Sequence, residues 1–146
     1  MSTYWDMQEV KITNTTGSSL VLSTVGTLAH GEWDAYPAGP IPNGATAQLA
    51  FRTRSVNAAE VGPGPGAVTY VLPDNTPLNI TFDMIFAVAQ NTWVSATAGG
   101  TRGDNYSVTI TCSEESWHGQ GRRYTSTITL SAANGNPNSA QCVQTN

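Results

Sequence analysis

The strongest constraint on the fold is a two-residue period of apolar and polar side chains that recurs along most of the chain. Val10, Ile12 and Asn14 alternate with Lys11 and Thr13, as residues do in a strand that buries one face. No long segment shows the 3.6-residue period of an amphipathic helix. The pattern therefore predicts an all-β protein whose half-apolar strands bury their faces against a second sheet.

The alternating segments predict about eight strands, joined by turns rich in Gly, Pro, Asn and Asp. The turn Asn14–Ser18 predicts a tight hairpin between the first two strands, and the turn Pro73–Thr76 predicts another. The stretch Gly31–Gly44 and the segment Val61–Gly66 predict loops, because their prolines remove hydrogen-bond donors from the backbone. The strands are expected near 10–14, 20–22, 48–54, 68–72, 78–82, 92–98, 106–112 and 124–130.

Length and composition indicate one domain. At 146 residues the chain can bury one core, so we expect a single domain over 1–146, folded as an antiparallel β-sandwich with a polar C-terminal tail at 131–146. Six basic and ten acidic residues give a net charge of -4, which does not suit a surface that follows nucleic-acid phosphates. Nucleic acid is therefore not an expected partner.

The N-terminal segment Met1–Asp6 has neither the basic region nor the apolar region of a secretory signal peptide. No run approaches the ~20 apolar residues of a membrane-spanning helix. We therefore expect a protein that is made in soluble form, without a visible signal peptide.

The two cysteines, Cys112 and Cys142, have no clustered histidines with which to complete a tetrahedral zinc site. We therefore expect no bound metal and no cofactor. Two interpretations of the cysteines stay open. A disulfide between them would tether the polar tail to a core strand and stabilise the fold by roughly 3–4 kcal/mol, whereas a reducing compartment would keep them as free thiols.

Catalytic patterns are absent from the sequence. It has no Gly-x-Ser-x-Gly nucleophile motif, and His30 and His118 fall in predicted loops, where solvated side chains are expected. Glu114 and Glu115 are neighbours in a strand and point to opposite faces, so they cannot act together on one glycosidic bond. We interpret them as charges that protect an edge strand, and we expect no catalytic residues and no enzymatic activity.

Five aromatic residues are the candidates for ligand or membrane binding. Trp33 and Tyr36 lie in the Pro/Gly-rich stretch, and Trp5, Trp93 and Trp117 lie near predicted strand ends. Each could simply plug the open end of a sandwich, or could anchor the protein at a lipid–water interface or stack on a sugar. Burying three tryptophans gains about 15 kcal/mol before an association cost of about 4–15 kcal/mol. Tight membrane binding then requires head-group recognition, self-association or a second protein.

Several short segments are similar, in their order and character, to a known family. They are Val10–Leu20, Gly31–Trp33, Gly64–Tyr70 and Phe82–Ala87. Together they resemble the aegerolysin family over residues 8–131, in particular the small component of bacterial binary insecticidal toxins. Trp33 matches a Gly-x-Trp position, and Phe82, Asp83 and Phe86 match a Phe/Trp-Asp-x-x-Phe/Trp pattern.

The resemblance implies a β-sandwich that recognises membrane lipids, with sphingolipid as one candidate, and that forms pores in target cells together with a larger partner protein. It also implies that the protein acts outside the producing cell, as a cytolytic toxin component. Self-assembly into an oligomer is compatible with that role. Fungal members usually have Cys-Pro where Met84-Ile85 stand in this chain. From the residues themselves, Phe82 is expected to be a core strand residue.

Two other functions fit the same features. A lectin or carbohydrate-binding module would also use Trp and Tyr platforms on a β-sandwich, and binding to glycans without binding to lipid would identify it. A hydrolase on a sandwich scaffold ranks last, and activity that is lost on substitution of His30 or His118 would identify that function.

Overall fold

A computed structural model describes residues 5–28, 32–54, 66–84, 91–117, 121–133 and 137–145. In these residues the chain forms ten strands and one turn of 3-10 helix at Gly103–Asn105. The strands are β1 (Trp5–Thr15), β2 (Val21–Val25), β3 (Glu32–Ala35), β4 (Thr46–Arg54), β5 (Gly66–Val71), β6 (Pro77–Met84), β7 (Asn91–Ala98), β8 (Tyr106–Trp117), β9 (Gly121–Ala132) and β10 (Ser139–Thr145).

The strands form two five-stranded sheets that pack face to face, which confirms the predicted all-β sandwich. The first sheet has the order β3-β4-β1-β9-β8, and the second has the order β10-β7-β6-β5-β2. Neighbouring strands are antiparallel, except that β1 and β9 run parallel to each other. A parallel pair at the centre of the first sheet means that the chain reaches β9 only after crossing to the second sheet and back.

The core lies between the sheets and follows the predicted alternation. Val10, Ile12, Ile80 and Ile128 are fully buried, and Phe82 is buried as its place in a strand predicted. On β1 the intervening residues Lys11 and Thr13 lie on the outer face of the first sheet. The largest buried side chains are Tyr70, Tyr124, Phe51, Phe82, Ile12, Leu20, Ile41, Leu49, Leu78, Ile80 and Ile128.

The predicted hairpin between the first two strands is wrong, because β1 and β2 belong to different sheets. The turn that joins them is organised by Asn14, which is fully buried. Its side-chain amide donates hydrogen bonds to the carbonyls of Ser18 and Ile41, at 2.6 and 2.8 Å, and its oxygen accepts from Thr16. Gly17 takes the positive φ, 92°, that the turn chemistry predicted. The same residues that make a hairpin turn thus carry the chain from one sheet to the other.

The second predicted hairpin is confirmed. β5 and β6 pair antiparallel across the turn at 73–76, with Val68 opposite Ile80 and Tyr70 opposite Leu78. All four of these side chains are buried, so the two apolar faces do meet on one side.

Two short strands replace segments that were expected to be irregular. Glu32–Ala35 pairs with β4 as strand β3, although it lies in the predicted Pro/Gly loop. Ser139–Thr145 pairs with β7 as strand β10, although it belongs to the predicted polar tail. Both strands are short and polar, so their pairing comes from the neighbouring strand rather than from a pattern of their own.

Each long side of the sandwich brings one edge strand of each sheet together. On one side β8 lies beside β10, and the disulfide Cys112–Cys142 joins them, which settles the question left open by the sequence. On the other side β3 lies beside β2. Glu114 is exposed on β8, an edge strand, as we expected for a charge that protects an edge.

Candidate functional site

All four tryptophans of the sequence lie towards the same end of the sandwich. Trp5 begins β1, Trp117 ends β8, and Trp93 is close to the start of β7. These strand ends lie close together. The start of β1 lies beside the start of β9, because Met7 pairs with Arg123. The start of β1 also lies close to Trp93 of β7, because the side chain of Gln8 donates a 3.2 Å hydrogen bond to the backbone carbonyl of Trp93.

Trp33 is near the same end, because it lies opposite Phe51, and Phe51 lies opposite Gln8. We call this end, with the strand ends around Trp5, Trp33, Trp93 and Trp117, the tryptophan end. The predicted position of Trp5, Trp93 and Trp117 near strand ends is confirmed. Trp33 lies in a strand rather than in a loop.

An open cleft of about 420 Å³ lies on the side of the sandwich where β2 and β3 meet. Its lining residues are Val25, Gly26, Thr27, Leu28, Glu32, Trp33 and Tyr36. The two edge strands are joined further along by an isolated bridge between Leu20 and Ile41. Beyond that bridge the register shifts in β2 between Leu22 and Thr24, and in β3 between Trp33 and Ala35. Such bulges bend and twist an edge strand, and the cleft opens next to them.

Trp33 forms the inner wall of the cleft. Its ring packs edge to face against Phe82 of the core, with ring centroids 6.1 Å apart, and against Tyr36, at 5.7 Å. Phe82 in turn lies 4.9 Å from the ring of Phe51. Trp33 is half-buried, whereas Tyr36 is 60% exposed. The core therefore holds Trp33 in place, and Trp33 supports an aromatic ring that is open to solvent.

Carboxylates give the rim of the cleft a negative charge. Arg52 donates two hydrogen bonds to Glu32, at 3.0 and 2.7 Å, and its other terminal nitrogen is 3.8 Å from the carboxylate of Asp34. One guanidinium thus faces two carboxylates, and one of them belongs to Glu32, which lines the cleft together with Trp33 and Tyr36. Aromatic rings in such a cleft attract a cationic group such as an alkylammonium.

Basic residues concentrate on the strands that lead to the tryptophan end. Five of the six lie in β1, β4 and β9. They are Lys11, Arg52, Arg54, Arg122 and Arg123. On the outer face of the first sheet, Arg123 donates a hydrogen bond to the buried carboxylate of Glu9, and the Lys11 ammonium lies 3.7 Å from the same carboxylate. These ion pairs place charged groups of both signs next to the tryptophan end.

Trp93 is separated from the cleft. It lies on the outer face of the second sheet, in a row between Val143 of β10 and Asp83 of β6. Val143 is half-exposed and Trp93 is partly exposed, so this row presents a second apolar surface at the tryptophan end. The structure therefore brings Trp33 and Tyr36 together and places Trp93 on another face of the same end.

Some predicted positions lie outside the described residues. These are His30, His118, Phe86, the predicted loop at 61–65 and the side chains of Trp5 and Trp117. Sequence reasoning also missed part of the cleft, namely Val25, Thr27 and Leu28. No local signal could have identified them, because they line the cleft only through the pairing of β2 with β5 in the opposite sheet.

In the part of the chain that the structure describes, no group of three or more His, Cys, Asp or Glu residues is placed to hold a metal ion. Within the same residues, no helix has the length and apolar character needed to cross a bilayer.

Comparisons with known proteins show likeness in structure rather than in sequence. The chain matches no protein-family model and no curated protein. It resembles the crystal structure of the lipid binding protein Nakanori, with a TM-score of 0.58, 17% identity and coverage of 84% of this chain and 70% of Nakanori. It also resembles the RahU protein, solved in complex with a Tris molecule, with a TM-score of 0.64, 12% identity and coverage of 90% and 98%. At these identities the likeness shows that the chain shares their fold.

Proposed function

We propose that this protein binds the lipid surface of target-cell membranes through its tryptophan end. The observation that carries the proposal is the gathering of all four tryptophans at one end of the sandwich. Indole rings favour the lipid–water interface, since they combine a large apolar area with one polar N–H group. The lipid-binding role of Nakanori, a protein of similar fold, supports the same assignment.

The Trp33–Tyr36 cleft is the proposed head-group site. Its aromatic rings and the carboxylate of Glu32 suit a cationic head group, such as the choline or ethanolamine group of a sphingolipid. Such recognition complements interfacial insertion, because burial of a few tryptophans is nearly offset by the cost of association. The chain has a net charge of -4, so general attraction to anionic lipid contributes little.

We extend the proposal to the cytolytic role that the sequence resemblance implies. The protein acts outside the producing cell, as a component of a pore-forming, insecticidal toxin, with a larger partner protein that supplies the membrane-crossing part. Self-assembly on the membrane is a further part of this role. The small net gain that we estimate when one copy buries its tryptophans favours a partner or assembly, because either adds binding sites.

Flotation with lipid vesicles tests lipid binding. Vesicles would contain phosphatidylcholine alone, or phosphatidylcholine with sphingomyelin and cholesterol, with ceramide phosphoethanolamine, or with phosphatidylserine. We expect binding to a sphingolipid mixture, and a loss of about tenfold in affinity for Tyr36→Ala, which corresponds to the burial of part of one aromatic ring.

Val21→Ala is the matched control for that experiment. Val21 is an apolar residue of similar exposure, 55%. It lies at the opposite end of the sandwich from the tryptophan end, because it pairs with Val71, and Val71 pairs with Pro77 at the start of β6. We expect this variant to bind like the unmodified protein. Absence of binding to every mixture, or an equal loss for both variants, would contradict the proposal.

Leakage of a dye from the same vesicles tests the cytolytic role. We expect little leakage with this protein alone and strong leakage after addition of the protein encoded by a neighbouring reading frame. Leakage that no partner candidate increases would contradict the binary-toxin part of the proposal and leave lipid binding in place.

The proposal describes a binding protein without catalysis. The carboxylates beside the cleft, Glu32 and Asp34, both face Arg52 rather than each other across a substrate-sized gap. A panel of esterase and glycosidase substrates should therefore show no turnover. Turnover that disappears in His30→Ala or His118→Ala would contradict this part.

The same cleft also favours carbohydrate as a second candidate ligand. Tyr36 is an exposed ring in a cleft that Glu32 and Thr27 also line, and sugars bind to aromatic rings and polar groups by stacking and hydrogen bonding. Binding to a glycan array that free sugar competes away, without binding to any vesicle, would favour the lectin function over the membrane function.

A further inference from the structure

The C-terminal strand β10 is held in the sandwich with fewer buried side chains than its partner β7. Of its side chains at 139–144, none is fully buried, and Val143 is half-exposed. Its partner β7, in contrast, buries Val94, Ala96 and Ala98. The attachment of β10 therefore rests on its backbone pairing with β7, on the partial packing of Ala140 and Cys142 against the core, on the hydroxyl hydrogen bond between Thr97 and Ser139, and on the disulfide between Cys142 and Cys112.

The segment before β10 is anchored more firmly. The backbone N–H of Ala98 donates to the carbonyl of Asn138 at 2.8 Å, and the side-chain amide of Asn138 donates back to the carbonyl of Ala98 at 2.9 Å. The N–H of Val108 donates to the carbonyl of Pro137 at 2.9 Å. If β10 leaves β7, it will therefore pivot about Pro137 and Asn138 while the rest of the sandwich stays in place.

We propose that the Cys112–Cys142 disulfide is a redox lock on β10, and that its reduction opens the edge of β7 to the β10 strand of a second copy of this chain. While the disulfide is intact, Cys142 in the middle of β10 stays tethered to Cys112 of β8, so β10 cannot leave. A dithiol reduces the bond: two electrons and two protons pass from the dithiol, which becomes a cyclic disulfide, to the two cysteine sulfurs, which become thiols.

Release of β10 turns β7 into an edge strand with a row of unpaired backbone groups, which is a template for another strand. The strand that fits it best is an identical β10, because the register from Ser139–Thr97 to Thr145–Asn91 is already encoded in both strands. Two copies that exchange β10 reciprocally satisfy both β7 edges and form a closed dimer. This inference stands on the fold and does not depend on lipid binding.

Hydrogen exchange of the wild-type protein tests the release of β10. In protein diluted until it runs as a monomer, so that no second copy pairs with β10, we expect amides in 139–145 to exchange at least about tenfold faster on addition of dithiothreitol, while amides in β5 and β6 stay protected. The double variant Cys112→Ser/Cys142→Ser is the control and should exchange like the reduced protein, with no response to dithiothreitol. Exchange in β10 that reduction leaves unchanged would overturn the proposal.

Single-cysteine variants test the exchange of β10 between copies. Cys112→Ser and Cys142→Ser proteins, each unable to form the internal disulfide, are mixed in equal amounts and treated with oxidised glutathione. In a swapped pair, Cys142 of one chain lies beside Cys112 of the other, and their two thiols form one disulfide as one glutathione disulfide becomes two glutathione thiols. We expect the mixed dimer to exceed both homodimers several-fold on a non-reducing gel. A statistical distribution of the three dimers, or no dimer at all, would overturn the proposal.

Discussion

The two long sides of the sandwich solve the problem of exposed sheet edges in different ways. On the closed side, the Cys112–Cys142 disulfide joins β8 to β10. A backbone hydrogen bond from Val108 of β8 to Pro137 also joins β8 to the segment just before β10. On the open side, β2 and β3 share a single bridge at Leu20 and Ile41, and then separate to form the aromatic cleft. Closure of one side leaves the other side free to expose binding groups.

The difference shows how stability and binding are divided in this fold. The closed side presents polar residues and one exposed valine on β10 and is held by a covalent bond. The open side is held by hydrogen bonds from Asn14 and Tyr70 and by the packing of Leu20, Ile41 and Trp33, and it exposes Tyr36. Changes on the closed side should therefore affect the free energy of unfolding most, and changes in the cleft should affect binding most.

Loss of the disulfide should have the largest effect on stability. The two cysteines are separated by 30 residues, and release of a loop of this length costs roughly 3–4 kcal/mol in free energy of unfolding. We expect that loss in urea unfolding of Cys112→Ser/Cys142→Ser, at a protein concentration that keeps the variant monomeric. A loss below about 1 kcal/mol would mean that strand pairing alone holds the closed side.

Replacement of Asn14 should have the next largest effect on stability, because its side chain connects the turn after β1 to the carbonyl of Ile41 on the open side. Asn14→Ala removes one donor from the carbonyl of Ser18 and one from that of Ile41, and the bond to Ile41 is buried, so we expect a cost of roughly 2 kcal/mol in free energy of unfolding. Asn43→Ala is the matched control, since Asn43 accepts one exposed hydrogen bond from the N–H of Gly17 and should cost less than about 1 kcal/mol. Equal losses in thermal unfolding would contradict a special role for Asn14.

The hydroxyl of Tyr70 donates a hydrogen bond to the carbonyl of Ala38 at 2.6 Å. We expect this bond to contribute about 1 kcal/mol to the free energy of unfolding at neutral pH. Burial raises the pKa of Tyr70 from 10.0 to about 12. The unfolded chain therefore loses the proton at lower pH than the folded chain, so this contribution is complete below pH 10 and falls as the pH rises from 10 to about 12. We expect Tyr70→Phe to be less stable below pH 10 and to lose less stability between pH 10 and 12. Identical pH profiles in urea unfolding would contradict this account.

Tyr36 should have the smallest effect on stability and a clear effect on binding. Because its side chain is 60% exposed, Tyr36→Ala should change the free energy of unfolding by less than about 0.5 kcal/mol. Thermal unfolding checks this value beside the vesicle experiment. A large loss of stability would mean that Tyr36 supports the edge rather than presents a binding group.

Local patterns predicted the parts of the fold that depend on local alternation. The buried face of β1, the hairpin of β5 and β6, and the buried position of Phe82 all follow from residues within a few positions of one another. The β1–β2 hairpin was wrong because a turn such as Asn14–Ser18 suits both a hairpin and a crossing between sheets. Only the distant carbonyl of Ile41 decides between the two.

The candidate site was partly predictable for the same reason. Aromatic composition identified Trp33 and Tyr36, but their partners Val25 and Leu28 come from the opposite sheet. Strand β3 has only four residues, and β10 is mostly polar, so neither shows an apolar face strong enough to predict a strand, and their pairing appears only in the folded structure. The sequence could not predict whether Cys112 and Cys142 form a disulfide, because their spacing does not show whether β8 and β10 are neighbours.

The most direct test of the central claim is tryptophan fluorescence in vesicles that contain lipids brominated near the head-group end of the acyl chain. Because all four tryptophans lie at one end of the sandwich, binding through that end should bring them within reach of the bromine atoms. We predict strong quenching on binding, together with protection from a water-borne quencher such as acrylamide. Binding without quenching by the brominated lipid would contradict the claim that the tryptophan end meets the membrane.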